Sequence, residues 1–387
     1  MIEPNVPILP KNAELQYLGE GAANIVYRIS IPQHESGTPL PSQLEEYGEG
    51  TPPPSEIEFF EGGEGDCGVF ENKLLRVRKE LPTTLPCAIA QSSWESLVAP
   101  LFTPTYLVTQ SLVSLRPGPH NHIHALNTSL KALENNPSTS ISVSTTSQEA
   151  GVRPSKRRGV YLADDEYGLL VTDMSGPDVL QFKPKWLAQS PSAPEGAIRC
   201  RQCALVARKA AVTRSQAAAA KSEGREAQVS ERGGFCPLDL LSENSEDVER
   251  VADAIVGPSA SPGTVSQFAR WVSETDLLRM LRDVQLRMDR RGVLVARAND
   301  EDGNRDLRVA MTVRDCSVFV RLPELCLEGG EAGEGKVEAR IGDLDVKSPD
   351  KLAYWQETER ALVEEGWYAG SETVQWERQN TCSLGRR

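Results

Sequence analysis

The chain has 387 residues, a net charge of -13, 39% hydrophobic and 25% charged residues. This length can bury a sizeable core and predicts two lobes, while the acidic balance argues against nucleic acid or an anionic membrane as a partner for the whole surface. No apolar run reaches membrane-span length and no signal-type region opens the chain, so the expectation is an intracellular protein, nuclear and/or cytoplasmic, monomeric, with reduced thiols.

Charge is distributed unevenly. Residues 45–71 hold nine acids and no Lys or Arg, whereas residues 181–209 hold six basic residues against Glu195. Such a basic island on an acidic protein suits an anionic ligand gathered in one place.

The first lobe, 1–177, opens with an apolar strand entering Gly19-Glu20-Gly21-Ala22-Ala23-Asn24, after which strand alternation resumes at Ile25, Tyr27 and Ile29. A strand–glycine loop–strand hairpin can bring backbone amides over nucleotide phosphates. Residues 33–71 read as a solvated insertion rich in Pro, Gly, Ser and Glu. Lys73 to Leu81 reads as a strand with Arg76 and Arg78 on a basic face, and Ser92 to Pro117 as a short helix followed by a strand over residues 105–115. Residues 118–158 read as a second, disordered insertion ending in Lys156-Arg157-Arg158, and Gly168 to Ser175 as a buried strand that reaches Asp173.

The second lobe, 178–387, begins with an extended segment carrying Lys183 and Lys185 on one side of Pro184, a two-lysine comb suited to adjacent phosphates. Helices are predicted over 199–220, 243–255 and 266–291. Leu307 to Leu322 reads as a β-hairpin with Asp315 at its tip, placed to accept a hydroxyl proton or hold a metal. In Ile341 to Lys351, Asp343 and Asp345 stand two apart, which on a strand points both carboxylates to one face for magnesium. Lys347 and Lys351 follow, suited to phosphate oxygens. A helix from Lys351 to Trp367 fixes that loop, and the residues after Gly370 read as frayed.

Two motifs are set aside. Gly330 to Lys336 fits a P-loop spacing, but Val337 replaces the hydroxyl ligand and the loop glutamates repel phosphate, so it reads as a solvated hairpin loop. Cys200 and Cys203 form a CxxC with no second pair and no close histidine in sequence, which predicts no zinc site.

Several of these stretches, in order, resemble the inositol-pentakisphosphate 2-kinases, particularly fungal members: GEGAANIVYR from Gly19, LLRVRK from Leu74, LLVTDM from Leu169, FKPKWL from Phe182, CPLDLLS from Cys236, TVRDCSVFVRL from Thr312 and IGDLDVKSPDK from Ile341. The resemblance implies an α+β, two-lobed, distant kinase-like fold with a β-rich nucleotide lobe and a larger α/β lobe for the inositol phosphate. It implies ATP and magnesium as cofactors and phosphorylation of the 2-hydroxyl of inositol 1,3,4,5,6-pentakisphosphate. By the same resemblance, the Gly19–Asn24 loop, Arg76, Asp173 and Asp343 bind nucleotide, and Asp315 and Lys183 are catalytic. Asp315 and Asp343 hold magnesium, and Lys183, Lys185, Lys347 and Lys351 bind substrate phosphates. Arg208 and Arg157 or Arg158 align as further basic ligands, and Trp355 stands at a substrate-contacting tyrosine. Departures are Gln181 for a glutamate, Ser348 for a proline, and the absence of the plant members' zinc ligands. A phosphate-binding scaffold without catalysis is the alternative; it has no use for Asp315 and Asp343.

Overall fold

A computed structural model describes residues 6–32, 67–135, 153–222, 234–297, 299–323, 336–370 and 382–386. Its described strands and helices run, in chain order, β1 (Glu14–Glu20), β2 (Asn24–Ser30), β3 (Lys73–Arg78), α1 (Cys87–Leu97), β4 (Gln110–Ser114), α2 (His122–Asn135), β5 (Tyr167–Thr172) and β6 (Val179–Phe182). They continue with α3 (Arg201–Ser222), α4 (Ser245–Val256), α5 (Pro262–Glu274), α6 (Asp276–Met288), α7 (Glu301–Val313), β7 (Ser317–Arg321), β8 (Glu338–Gly342) and α8 (Lys351–Glu364). The architecture is α+β, as expected, and both sheets are antiparallel. No described helix is long and apolar enough to cross a membrane.

The chain divides into two compact units, Met1–Ala88 with Gln110–Asp173, and Ile89–Thr109 with Met174–Arg387. The first unit is therefore not the continuous stretch 1–177. Residues 89–109 join the second because Val98, Phe102 and Leu107 are buried in its core.

The first unit is a five-stranded sheet in the order β1-β2-β3-β5-β4. Alternation along β2 buries Ile25 and Tyr27, which pack with Leu75, Val77 and Leu170, and each full burial of such a side chain contributes about 1.5–3 kcal/mol. α2 lies inside the stretch expected to be disordered. Asn121 accepts a hydrogen bond from the Ile123 amide at 2.9 Å to start it, and Ile123, Leu126 and Leu130 are buried in the unit's core. The strand expected over 105–115 is confined to β4, because Pro104–Tyr106 forms a 3-10 turn. The remainder of the two insertions, 33–66 and 136–152, and most of the P-loop-like stretch lie outside the described residues.

The second unit has a three-stranded sheet in the order β6-β7-β8 and a core around Phe182, Phe268, Trp271, Leu281 and Val318. The helix expected over 266–291 is two helices, since Thr275 ends α5 and its hydroxyl caps α6 by accepting from Leu277 at 3.2 Å.

The predicted hairpin is corrected on its first half. Leu307 to Val313 belongs to α7, whose N-cap, Asp300, accepts from the Gly303 amide at 2.9 Å. Leu307, Ala310 and Val313 recur at helical spacing and are buried, which outweighs the strand-like alternation of Val309, Met311 and Val313. The C-terminal residues 382–386, expected to fray, form a 3-10 turn in which Cys382 and Ser383 are buried.

Candidate active site

In the second unit, Asp315 follows α7 and stands two residues before β7. Its carboxylate accepts from Lys185 Nζ at 2.8 Å and Lys347 Nζ at 2.7 Å, and Lys183 Nζ is 3.8 Å away. Burial alone would raise the Asp315 pKa, but the charges of Lys347, Lys185 and Lys183 outweigh it and hold the group well below the ordinary carboxylate range. The Lys183 ammonium also lies 3.7 Å from Asp343, whose carboxylate accepts from the Ser317 hydroxyl at 2.5 Å. A positive charge thus sits between the two carboxylates.

The backbone holding these groups is strained and braced. Lys185 and Asp343 both adopt left-handed φ angles, 58° and 57°, a conformation that costs a non-glycine residue of order 1–3 kcal/mol and persists only where surroundings enforce it. Gln285, buried on α6, donates to the Lys185 carbonyl at 2.8 Å and accepts from the Leu187 amide at 3.0 Å. Trp186 is buried beneath two guanidiniums, Arg314 at 3.5 Å and Arg201 at 4.6 Å from the ring centre. On the facing loop, Thr312 accepts from the Lys347 amide at 3.1 Å and Arg308 donates to the Lys347 carbonyl at 2.5 Å. A side chain at Gly342 would come within 3.1 Å of Phe319 and 3.2 Å of Val108, so glycine gives the close packing where β8 hands over to Asp343. Because β8 stops at Gly342 and Asp343 turns left-handed, Asp343 and Asp345 do not share a strand face, contrary to the expectation.

Other predicted residues are distributed differently. Lys351 is the first residue of α8, a helix with no acid in its first turn, where the helix dipole and the lysine charge both favour an anion. Trp355 is buried with Val293 and Leu307, since Trp355, Glu359 and Leu362 form the inward stripe of α8; the expected substrate contact is a core residue. Arg208 forks onto Glu365 at 2.8 and 2.9 Å.

In the first unit, the loop Gly21 to Ala23 joins β1 to β2; an added side chain at Gly19 would meet open space, and one at Gly21 would meet the Asn24 carbonyl at 4.0 Å. Glu20 faces inward instead. Its fully buried carboxylate is paired with Lys79 and with Arg153 at 2.9 Å, and Lys79 Nζ donates to the Gly21 carbonyl at 2.9 Å. Burial pulls the Lys79 pKa down while Glu20 pulls it up. Asn24 pairs with Arg78 across the β2–β3 ladder. Arg76 is buried on β3 and donates to Gln110 at 3.4 Å, Arg158 is exposed after a 3-10 turn, and the Asp173 amide donates to the Asn72 carbonyl at 2.9 Å.

Sequence reasoning missed Lys79, Arg153, Gln285 and Ser317 as supports. Lys79 and Ser317 stand inside recognisable motifs; Arg153 sits in a stretch that reads as disordered, and Gln285 on a helix face gives no signal. The absence of a second pair for Cys200 and Cys203 is also corrected. Among the described residues, Cys236 and Cys382 meet them in space, with all four sulfurs within 4.8 Å of one another.

Three lysines around one carboxylate, beside a second carboxylate on an adjoining loop, are groups chemically suited to phosphate oxygens and to proton transfer. Asp315 and Asp343 supply hard oxygen donors around a place that already accepts a cation, so they fit magnesium. The family profile described as inositol-pentakisphosphate 2-kinase matches residues 17–361, and the chain belongs to that family. A protein of Yarrowia lipolytica (strain CLIB 122 / E 150) named inositol-pentakisphosphate 2-kinase is 32% identical over 193 residues, 49% of this chain and 53% of that protein. The chain therefore spans about half the length of this relative.

Proposed function

We propose that the protein transfers the γ-phosphoryl group of ATP to the 2-hydroxyl of inositol 1,3,4,5,6-pentakisphosphate, giving ADP and inositol hexakisphosphate. The observation that carries this is Asp315, ionised and shared by Lys183, Lys185 and Lys347. A substrate with five phosphates offers these lysines competing anions, and each charge-assisted hydrogen bond contributes roughly 1.5–3 kcal/mol. As the ammoniums move to phosphate, Asp315 loses the charges that depress its pKa and becomes a better base. The hydroxyl oxygen then forms a bond to the γ-phosphorus, the bond from that phosphorus to the β–γ bridging oxygen breaks, and the hydroxyl proton passes to Asp315. Asp315 and Asp343 are the residues that would hold magnesium, which when bound would neutralise charge on the transferring phosphoryl group. Lys183 orients both carboxylates, and Lys351 adds a cation for phosphate at the start of α8.

On this reading the first unit is the nucleotide lobe of a distant kinase-like fold, with the Gly19–Asn24 loop toward phosphates and Asp173 toward adenine, and the second is the inositol phosphate lobe. Support comes from the open space at Gly19 and from the bracing of that loop by buried Glu20 and Lys79.

The test is an end-point reaction with ATP, magnesium and inositol 1,3,4,5,6-pentakisphosphate, resolved by anion-exchange chromatography. A hexakisphosphate peak that Asp315→Asn removes is expected. No peak while pentakisphosphate still raises the melting temperature would favour a binding scaffold, and neither response would overturn the substrate assignment.

A further inference from the structure

Lys185 and Asp315 stand 130 residues apart in the chain, yet their side chains meet at 2.8 Å. Both segments are gripped by one end of α6. Gln285 lies in its last turn and Asp289 is its C-terminal cap, and the Asp289 amide donates to the Gln285 carbonyl at 3.2 Å. The Gln285 side-chain amide spans the lysine turn, donating to the Lys185 carbonyl at 2.8 Å and accepting from the Leu187 amide at 3.0 Å. The Asp289 carboxylate accepts from Arg314 at 2.7 Å and from the Gly292 amide at 2.9 Å. Arg314 immediately precedes Asp315, and its guanidinium lies 3.5 Å from the centre of the Trp186 ring. The neighbours of Lys185 and of Asp315 are thus tied to the same helix end and to each other.

Stability alone does not call for these groups. Gln285, Asp289 and Arg314 are all buried, and Arg314 Nε has no hydrogen-bond partner among the described residues. Burial pulls the Arg314 pKa down, the mark of a charge taken out of water. A buried ion pair commonly contributes no more than apolar residues of the same volume. The left-handed backbone at Lys185 is a further cost. Such costs persist where the spacing they enforce has a use.

We propose that Gln285 and Asp289 are positioning residues. The end of α6 holds the Lys185 turn and the Arg314–Asp315 turn at the separation that places the Lys185 ammonium on the Asp315 carboxylate. The consequence for turnover rests on the reading of Asp315 as the proton acceptor; the positioning itself does not.

The test follows the Asp315 titration by carboxyl carbon NMR in the full chain without ligand. Gln285→Leu removes both hydrogen bonds to the lysine turn, and the titration should rise toward that of Lys185→Met. Asp289→Asn keeps the shape and removes a negative charge, which by itself would lower the Asp315 titration. A rise in that variant therefore reports a displaced Lys185. Leu281→Ala, one turn earlier on α6 and in the core, should lower the melting temperature and leave the titration at its wild-type value. In the hexakisphosphate assay, turnover should fall about 10²-fold in Gln285→Leu and Asp289→Asn and hold in Leu281→Ala. Should Gln285→Leu fail to fold, Asp289→Asn decides. An unmoved Asp315 titration, or an equal rise in Leu281→Ala, would overturn the proposal. A raised titration with unchanged turnover would support the positioning and overturn Asp315 as the proton acceptor.

Discussion

The two units each contain a carboxylate gripped by several cations, and the grips differ in kind. Glu20 and its partners Lys79 and Arg153 have side chains 0–1% exposed, whereas Asp315 and its three lysines are 30–43% exposed. Buried ions cannot exchange partners without meeting a large desolvation cost, so the Glu20 cluster is scaffolding for the glycine loop. Half-exposed ions exchange partners readily, which is what a site must do when a polyanion arrives. On the proposed reading, the same chemical groups hold a shape in one place and wait for a ligand in the other.

Replacing each carboxylate should separate the two roles. Asp315→Asn should lower turnover by about 10²–10⁴-fold while pentakisphosphate still binds by calorimetry. Glu20→Ala should do the reverse in kind, costing about 3–5 kcal/mol of stability in chemical denaturation, because it leaves buried Lys79 without a carboxylate partner and Arg153 with Glu134 alone. If both substitutions acted mainly on stability, the distinction between the clusters would fail.

Smaller effects sharpen the contrast. Lys347→Ala with Lys351→Ala should weaken pentakisphosphate binding by roughly 1.5–3 kcal/mol for each ammonium removed, read by calorimetry. Lys347→Met should raise the Asp315 titration toward the ordinary range, followed by carboxyl carbon NMR. Because the folded pKa is depressed, the Asp315 ion pairs stabilise the protein above the unfolded carboxylate pKa of about 4, and that stability is lost as pH falls through the folded value. The variant should lose part of this acid-side dependence. Arg208→Ala should be the mildest, about 0.2–1 kcal/mol in a denaturation curve, since its pair with Glu365 is exposed.

How much of this is legible in the sequence follows from distance along the chain. The glycine hairpin, β5, and Asp315 in its turn can be read because their signals are local. Asp315 falls in a turn whether α7 is read as a strand or as the helix it is, since both readings end at Arg314. The α7 cap at Asp300 and the helical spacing of Leu307, Ala310 and Val313 are present in the sequence, but the competing alternation hides them. The cysteine cluster is not legible, because its members lie 36 and 146 residues apart and only folding brings them together. The burial of Trp355 is not legible either, because alignment gives a position and not the side of the helix on which it falls.

The triple lysine grip on Asp315 also bears on what the protein does when ATP arrives first. A carboxylate that accepts from two ammoniums and has a third 3.8 Å away is a poor acceptor for a proton from water. On the proposed reading, nucleotide bound without its inositol partner meets a base that is switched off, and wasteful hydrolysis is suppressed. The acceptor itself would supply the unlocking, since its phosphates draw the lysines away.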